Sequence, residues 1–229
     1  MLGLRRNRQL NGFFCLIVAI NTTIMFRMNI NNHQIEPIVD SLQMKERLRD
    51  ASDKRGKIAR MIHAGQLLRL RRGLYATRRD IHPYCLAASI YGPSYVSFET
   101  ALAFHGLIPE AVHEIMSATL KRAKAFENVF GRYTYRNIPR RVFPVGIERI
   151  TEGDIPFLIA SPTKALCDRI ALESRMRSMS DIRHWAELMR LNEEPALDPV
   201  ILAACAENYR RPAVRLLLHT VEKYGGVLS

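Results

Sequence analysis

The side chains best placed to do chemistry in this chain are cations, and they arrive in two bursts. Lys54, Arg55, Lys57 and Arg60 form the first, and Arg69, Arg71 and Arg72 the second. Such groups do not make or break bonds alone; they neutralise phosphates, and a guanidinium does so with paired donors. Their spacing implies a scaffold. Arg69 and Arg71 alternate with Leu68 and Leu70, which predicts a strand with one basic and one apolar face. Arg72-Gly73 supplies a turn and Leu74-Tyr75-Ala76 a return strand, so residues 65–77, GQLLRLRRGLYAT, read as a tight β-hairpin. Upstream, Ile58, Met61 and Ile62 keep helical spacing and turn inward, leaving Lys57, Arg60 and His63 outside. Ser52 or Asp53 caps that helix and Gly65 ends it. A short basic helix entering an arginine-bearing hairpin is the pattern of a winged helix-turn-helix, with the helix in a DNA groove and the wing on phosphates. An ordinary hairpin with solvated arginines has the same local pattern. The helix lacks the Asn, Gln or Ser side chains common in base readout, so phosphate contacts are expected and no base specificity is assigned.

The chain offers little else for chemistry. A metal-dependent nuclease needs Asp/Glu-x-Lys on a strand, and that triplet occurs nowhere. P-loop, G-x-G-x-x-G, H-E-x-x-H and G-x-S-x-G motifs are absent as well. His82 and Cys85 stand three apart without a third orienting group, and His105 falls on an apolar stripe as a packed structural histidine does. Asp154, Lys164 and Asp168 read as turn, helix-end and surface residues. Cys15, Cys85, Cys167 and Cys205 make no C-x-x-C pair and read as reduced, buried thiols of a cytoplasmic protein. No catalytic residue, metal site, cofactor or membrane partner is expected. The alternative from another class is a nucleic-acid-modifying enzyme, nuclease-like and metal-dependent, with an unrecognised site.

The elements that would position the cations follow from charge and periodicity. The 229 residues carry a formal net charge of +12. Residues 1–81 hold 16 Lys/Arg against 6 Asp/Glu, and residues 82–229 hold 18 against 16, so the excess sits in the half containing the hairpin. That asymmetry favours a polyanionic partner for the first half. Arg5, Arg6 and Arg8 before the apolar run Phe13–Ile20 imitate a signal peptide, but the run is too short to span a bilayer and no small-x-small cleavage site follows. Residues 1–30 are therefore expected to be an N-terminal extension, with Met28 as an alternative start. Ile35, Ile38, Val39 and Leu42 predict a first helix on one stripe. Beyond residue 81, helices are expected over Pro83–Tyr91, from a Ser97 cap, from Ser161-Pro162, from Ser180, from Asp198 and over Pro212–Tyr224. Strands are expected over Val112–Thr119, Gly131–Arg136, Val142–Ile150 and Ile155–Ala160, with Leu120–Lys124 as a basic segment, read as a solvated loop with DNA contact as the alternative. The fold class is α+β: a winged helix-turn-helix over residues 31–80, then a mixed α/β domain over 81–229 ending in helices.

Four segments in this order carry a family resemblance: GQLLRLRRGLYAT (65–77), YVSFETALAFHGLIPE (95–110), FGRYTYRNIP (130–139) and IASPTKALCDRIAL (159–172). Together they resemble the AbiEi-type antitoxins of type IV toxin–antitoxin systems, over roughly residues 40–175. The resemblance implies an N-terminal winged helix-turn-helix joined to an antitoxin domain, with Arg69, Arg71 and Arg72 in the wing and Ser97–Gly106 opening the second domain. It also implies autorepression through promoter repeats in double-stranded DNA, and neutralisation of a nucleotidyltransferase-like toxin without a stable complex. The helix-turn-helix here is short for that family, and residues 1–30 match nothing in it.

Overall fold

Asp40 decides how the described part of the chain begins. The computed structural model describes residues 36–110, 112–191 and 196–225, so the expected N-terminal extension and Cys15 lie outside the described residues. The Asp40 carboxylate accepts from the N–H groups of Leu42 (2.8 Å) and Gln43 (2.9 Å), while the Gln43 side chain accepts from Asp40 N–H (2.8 Å). This reciprocal capping box starts helix α1 at Ser41–Arg47. The expected stripe through Ile38, Val39 and Leu42 is thereby corrected. Ile38 and Val39 lie in strand β1 (Ile38–Asp40), and Leu42 is exposed.

Helix α2 spans Lys54–His63, capped by the Asp53 carboxylate on Gly56 N–H at 2.8 Å. A Cβ on Gly56 would stand 1.8 Å from that carboxylate, so the glycine makes room for the cap. The hairpin forms as its alternation predicts, with β2 at Leu68–Arg71 and β3 at Leu74–Ala76. Gly73 takes φ +77° in the turn, where a side chain would press on Ser41. Strand β1 adds to the other edge of β3, giving an antiparallel sheet in the order β1-β3-β2.

The central strand of that small sheet, β3, is buried on both faces. Val39, Leu67 and Tyr75 pack with Met44 and Leu48 of the first helical segment, and half-buried Ile58, Met61 and Ile62 of α2 close over them. Leu68, Leu70, Leu74 and Ala76 face the opposite way and belong to the large core that fills the rest of the chain. From Pro37 onward the chain is one compact unit.

The larger core is built on a six-stranded mixed sheet in the order β6-β7-β5-β4-β9-β8. Its strands are β4 (Ser94–Val96), β5 (Glu114–Thr119), β6 (Lys124–Asn128), β7 (Gly131–Asn137), β8 (Ile147–Glu152) and β9 (Ile155–Ala160). The expected basic loop holds over 120–123 and ends at Lys124, where edge strand β6 begins, and residues 142–146 are turns rather than strand. Helix α3 (Pro83–Tyr91) crosses one face, where the hydroxyls of Tyr133 and Tyr135 donate to the carbonyls of Pro83 (3.1 Å) and Ala87 (2.7 Å). Strand alternation sends the neighbouring Tyr95 to the other face. That face carries α4 (Phe98–Phe104), α5 (Pro162–Ile170), α6 (Met179–Leu188), α7 (Pro199–Tyr209) and α8 (Pro212–Tyr224). Helix α6 is capped by Ser178 rather than Ser180, because Asp181 answers Ser178 in a capping box. Arg169 of α5 ties its neighbours, donating to Glu99 (2.5 Å) and Glu173 (2.6 Å) beneath the Trp185 ring.

Leu70 and the single tryptophan, Trp185, belong to one core. Replacing Leu70 by Ala is expected to cost about 2–5 kcal/mol and to lower the Trp185 fluorescence midpoint together with the far-UV dichroism midpoint. A Trp185 transition left at the wild-type temperature would show that the hairpin melts independently.

Candidate nucleic-acid interface and buried charged cluster

Lys54, Arg55 and Lys57 all stand in the first turn of α2, which contains no acidic residue. Cations at this end oppose the helix dipole, so the arrangement lowers helix stability while concentrating positive potential on one exposed turn. Among the described residues none of the three has an ion-pair partner. Arg60, one turn on, sits 4.0 Å from Asp53 in an exposed, weak pair. Arg69 projects from β2 into an open groove bordered by Ile62, Arg79, Glu127, Asn128 and Val129. Arg72 is exposed at the hairpin turn. The structure thus puts all seven cations on exposed or half-buried positions of α2 and the hairpin, and among the described residues six of them keep their head groups off the body's backbone carbonyls.

Arg71 is the seventh, and it is engaged. Its Nε donates to the Ile90 carbonyl at 2.8 Å and one Nη to the Arg72 carbonyl at 3.2 Å. Ile90 lies in the last turn of α3, which has no basic residue of its own, so a cation from the hairpin satisfies that helix end. Beside it, Asn128 of β6 donates to the Leu70 carbonyl at 3.2 Å. The hairpin is therefore pinned to α3 through Arg71 and to the sheet edge through the Leu70 carbonyl. Next along α3, the Tyr91 ring lies 5.0 Å from Lys121 Nζ and 5.9 Å from Lys124 Nζ, and its hydroxyl donates to the Arg122 carbonyl at 3.3 Å.

Behind this surface, on the opposite face of the sheet, is a cluster that periodicity alone misassigned. Lys164 and Asp168 were expected at a helix end and on the surface; both are 0 % exposed. Four residues apart, they share the inward face of α5 and form an ion pair. Asp168 also accepts from Tyr95 (2.8 Å), Ser97 (2.7 Å) and Tyr209 (2.6 Å), so β4, the segment after it, α5 and α7 all meet there. The ammonium lies near the Tyr95 and Tyr209 rings, at 5.5 and 5.1 Å from their centres. Burial first, and then the Asp168 charge, hold both phenols well above their ordinary range, keeping them protonated as donors. Ser97 is consequently not a side-chain cap for α4. Its hydroxyl is committed to Asp168, and the next residue, Phe98, is held at φ +56°. The Cys167 thiol is pushed up by its hydrogen bond with Cys205 and by burial, which leaves it unreactive.

The remaining sequence candidates have structural partners. His105 Nε2 pairs with the Ala160 carbonyl at 2.8 Å, and the Cys85 thiol donates to the Ile155 carbonyl at 3.0 Å. His82 caps α3 and stacks on Phe157. Cys85, Cys167 and Cys205 are buried thiols outside any disulfide. Among the described residues, no group of three or more His, Cys, Asp or Glu side chains is placed to hold a metal ion, and no helix is long and apolar enough to cross a membrane.

No protein-family model matches this chain, and no curated protein matches it.

The tyrosine cluster has a pH consequence. An unfolded phenol titrates near pH 10, while burial keeps Tyr95 and Tyr209 protonated above that. Their contribution to stability is complete below pH ~10 and declines as pH rises, by up to about 1.4 kcal/mol per pH unit for each. Tyr209→Phe removes one such group. It is expected to lower stability at neutral pH by about 1.5–3 kcal/mol and to flatten the alkaline limb of the stability curve. Denaturant titrations at stepped pH check this, and an alkaline slope identical to wild type would contradict it.

Proposed function

We propose that this chain is a DNA-binding antitoxin of the type IV kind, one that represses its own operon and counteracts a nucleotidyltransferase-like toxin without a stable complex. The observation that carries the DNA half is the unpaired cluster Lys54, Arg55 and Lys57 at the start of α2, beside a hairpin bearing Arg69 and Arg72. The element order β1-α1-α2-β2-β3, with β1 on the far edge of the hairpin, supports a reading as a winged helix-turn-helix. In this reading α2 is the recognition helix, β2–β3 the wing, and the lysines and arginines contact phosphates. A cation cluster that costs folding stability has a use when a polyanion binds it.

The antitoxin half rests on the resemblance of the four segments. Two of them, residues 95–110 and 159–172, are the stretches whose Tyr95, Ser97, Lys164 and Asp168 meet in the buried cluster. In this reading that cluster shapes the body and performs no catalysis. Co-expression with the toxin encoded beside it is expected to restore growth, without co-purification of the two proteins.

The direct test is fluorescence anisotropy with a duplex from the chain's own upstream region, titrated with salt. Replacing Lys57, Arg69 and Arg72 together by Ala should reduce the slope of log K against log salt by about 2.7, at ~0.9 per phosphate contact. An unchanged slope would sink the assignment of α2 and the wing to the DNA backbone. Arg71→Ala is expected to differ in kind: it frees the Ile90 carbonyl and lowers the melting temperature as well.

A further inference from the structure

The body of the protein carries basic groups that lead away from the wing. Arg71 reaches the end of α3, and its charge opposes the upward shift that burial imposes on Tyr135. Tyr135 is the cross-strand partner of Lys124 and packs 5.2 Å from Tyr91 between ring centres. Lys121 and Lys124 then cover the Tyr91 ring, and Lys124 also covers Phe126 at 5.0 Å. Lys121, Arg122 and Lys124 are exposed, and among the described residues none has an acidic partner. Glu127 is the one carboxylate on β6, and strand alternation turns it to the face opposite Lys124 and Phe126.

From this continuity we infer that the ledge formed by Lys121, Arg122 and Lys124 around Tyr91 is a second phosphate-binding surface, extending the wing's contact with the backbone of duplex DNA. The inference rests on the reading of α2 and the hairpin as a DNA-binding head. Duplex rather than single-stranded nucleic acid is favoured by the aromatic rings themselves. Bases of a single strand stack on free ring faces, whereas Tyr91 and Phe126 are covered by ammonium groups and half-buried. What the ledge offers outward is charge, with the Lys121 and Lys124 ammonium groups held against the rings. Because Arg71 and Asn128 pin the hairpin to α3 and β6, ledge and wing keep a constant spacing and engage one duplex together.

The test uses the full chain and two duplexes from its own upstream region, one of about one helical turn (~10 base pairs) and one of about three (~30 base pairs). Lys121→Gln with Lys124→Gln is expected to leave the melting temperature unchanged and to weaken binding to the long duplex about tenfold near physiological salt. The salt slope on the long duplex should fall by about 1.8, and binding to the short duplex should stay as in wild type. Lys121→Arg with Lys124→Arg keeps the charge and should retain full affinity. Wild-type affinity of the Gln pair for the long duplex would overturn the ledge while leaving the head intact, and it is also the outcome if the ledge serves an acidic protein instead. Equal loss on both duplexes, or loss in the Arg pair, would equally overturn it. If the Lys57, Arg69 and Arg72 variant binds as wild type does, the head assignment fails instead, and wild type that binds neither duplex removes both.

Discussion

Asp168 accepts four hydrogen bonds in a place no water reaches, and the body of this protein is arranged around that fact. A carboxylate taken out of water loses solvation worth several kcal/mol, and only close, well-aimed donors make the folded state tolerable. Here the donors come from four places in the chain: Tyr95 on β4, Ser97 after it, Lys164 on the same helix, and Tyr209 on α7. Each is buried, so each in turn depends on Asp168. Such a network contributes less to net stability than to uniqueness, since any repacking that moves one element strands a charge in the core. The left-handed backbone at Phe98 is a local mark of this constraint. Ser97 is turned toward Asp168 instead of toward the helix it precedes, and the chain bends sharply to start α4.

The constraint is transmitted outward through the sheet. Tyr95 on one face and the tyrosines of β7 on the other fasten the same sheet to α5 and to α3. The end of α3 then receives Arg71, and the edge strand β6 receives the Leu70 carbonyl. A hairpin that would be a free flap in isolation is sandwiched between two cores, with Tyr75 in one and Leu70 in the other. Its arginines are consequently held in place relative to the cations of α2, and that preorganisation is what a phosphate-binding surface requires.

How much of this was legible in the sequence depended on the range of the causes. The hairpin, the Asp53 cap, the Ser161-Pro162 start and the whole of Pro212–Tyr224 follow from neighbours within a few residues, and they stand where periodicity put them. Ile38 and Val39 look helical in isolation but are drawn into a strand by pairing with Ala76 and Tyr75, a partner too distant for local pattern to see. Lys124–Asn128 has a single large apolar side chain, Phe126, so nothing in the local pattern marks it as an edge strand. Lys164 and Asp168 were the furthest from reach. Charged residues four apart on a helix usually face solvent, and only Tyr95 and Tyr209, distant in the chain, reveal that this pair faces in. The seven candidate cations were all legible as cations, but the commitment of Arg71 to α3 was not, because Ile90 supplies a carbonyl and not a side chain.

Six of the seven lysines provide a direct reading of the proposed interface, since they occupy contrasting environments. Lys54, Lys57, Lys121 and Lys124 lie on the surface assigned to DNA, Lys223 stands exposed on α8, and Lys164 is sealed in the core. Acetylation of the native protein, followed by mass spectrometry with and without the upstream duplex, measures which ammonium groups the DNA covers. The account predicts that the duplex slows modification of Lys54 and Lys57 most, slows Lys121 and Lys124, and leaves Lys223 reactive, with Lys164 unmodified throughout. Equal acetylation of Lys54 and Lys57 with and without DNA would contradict it.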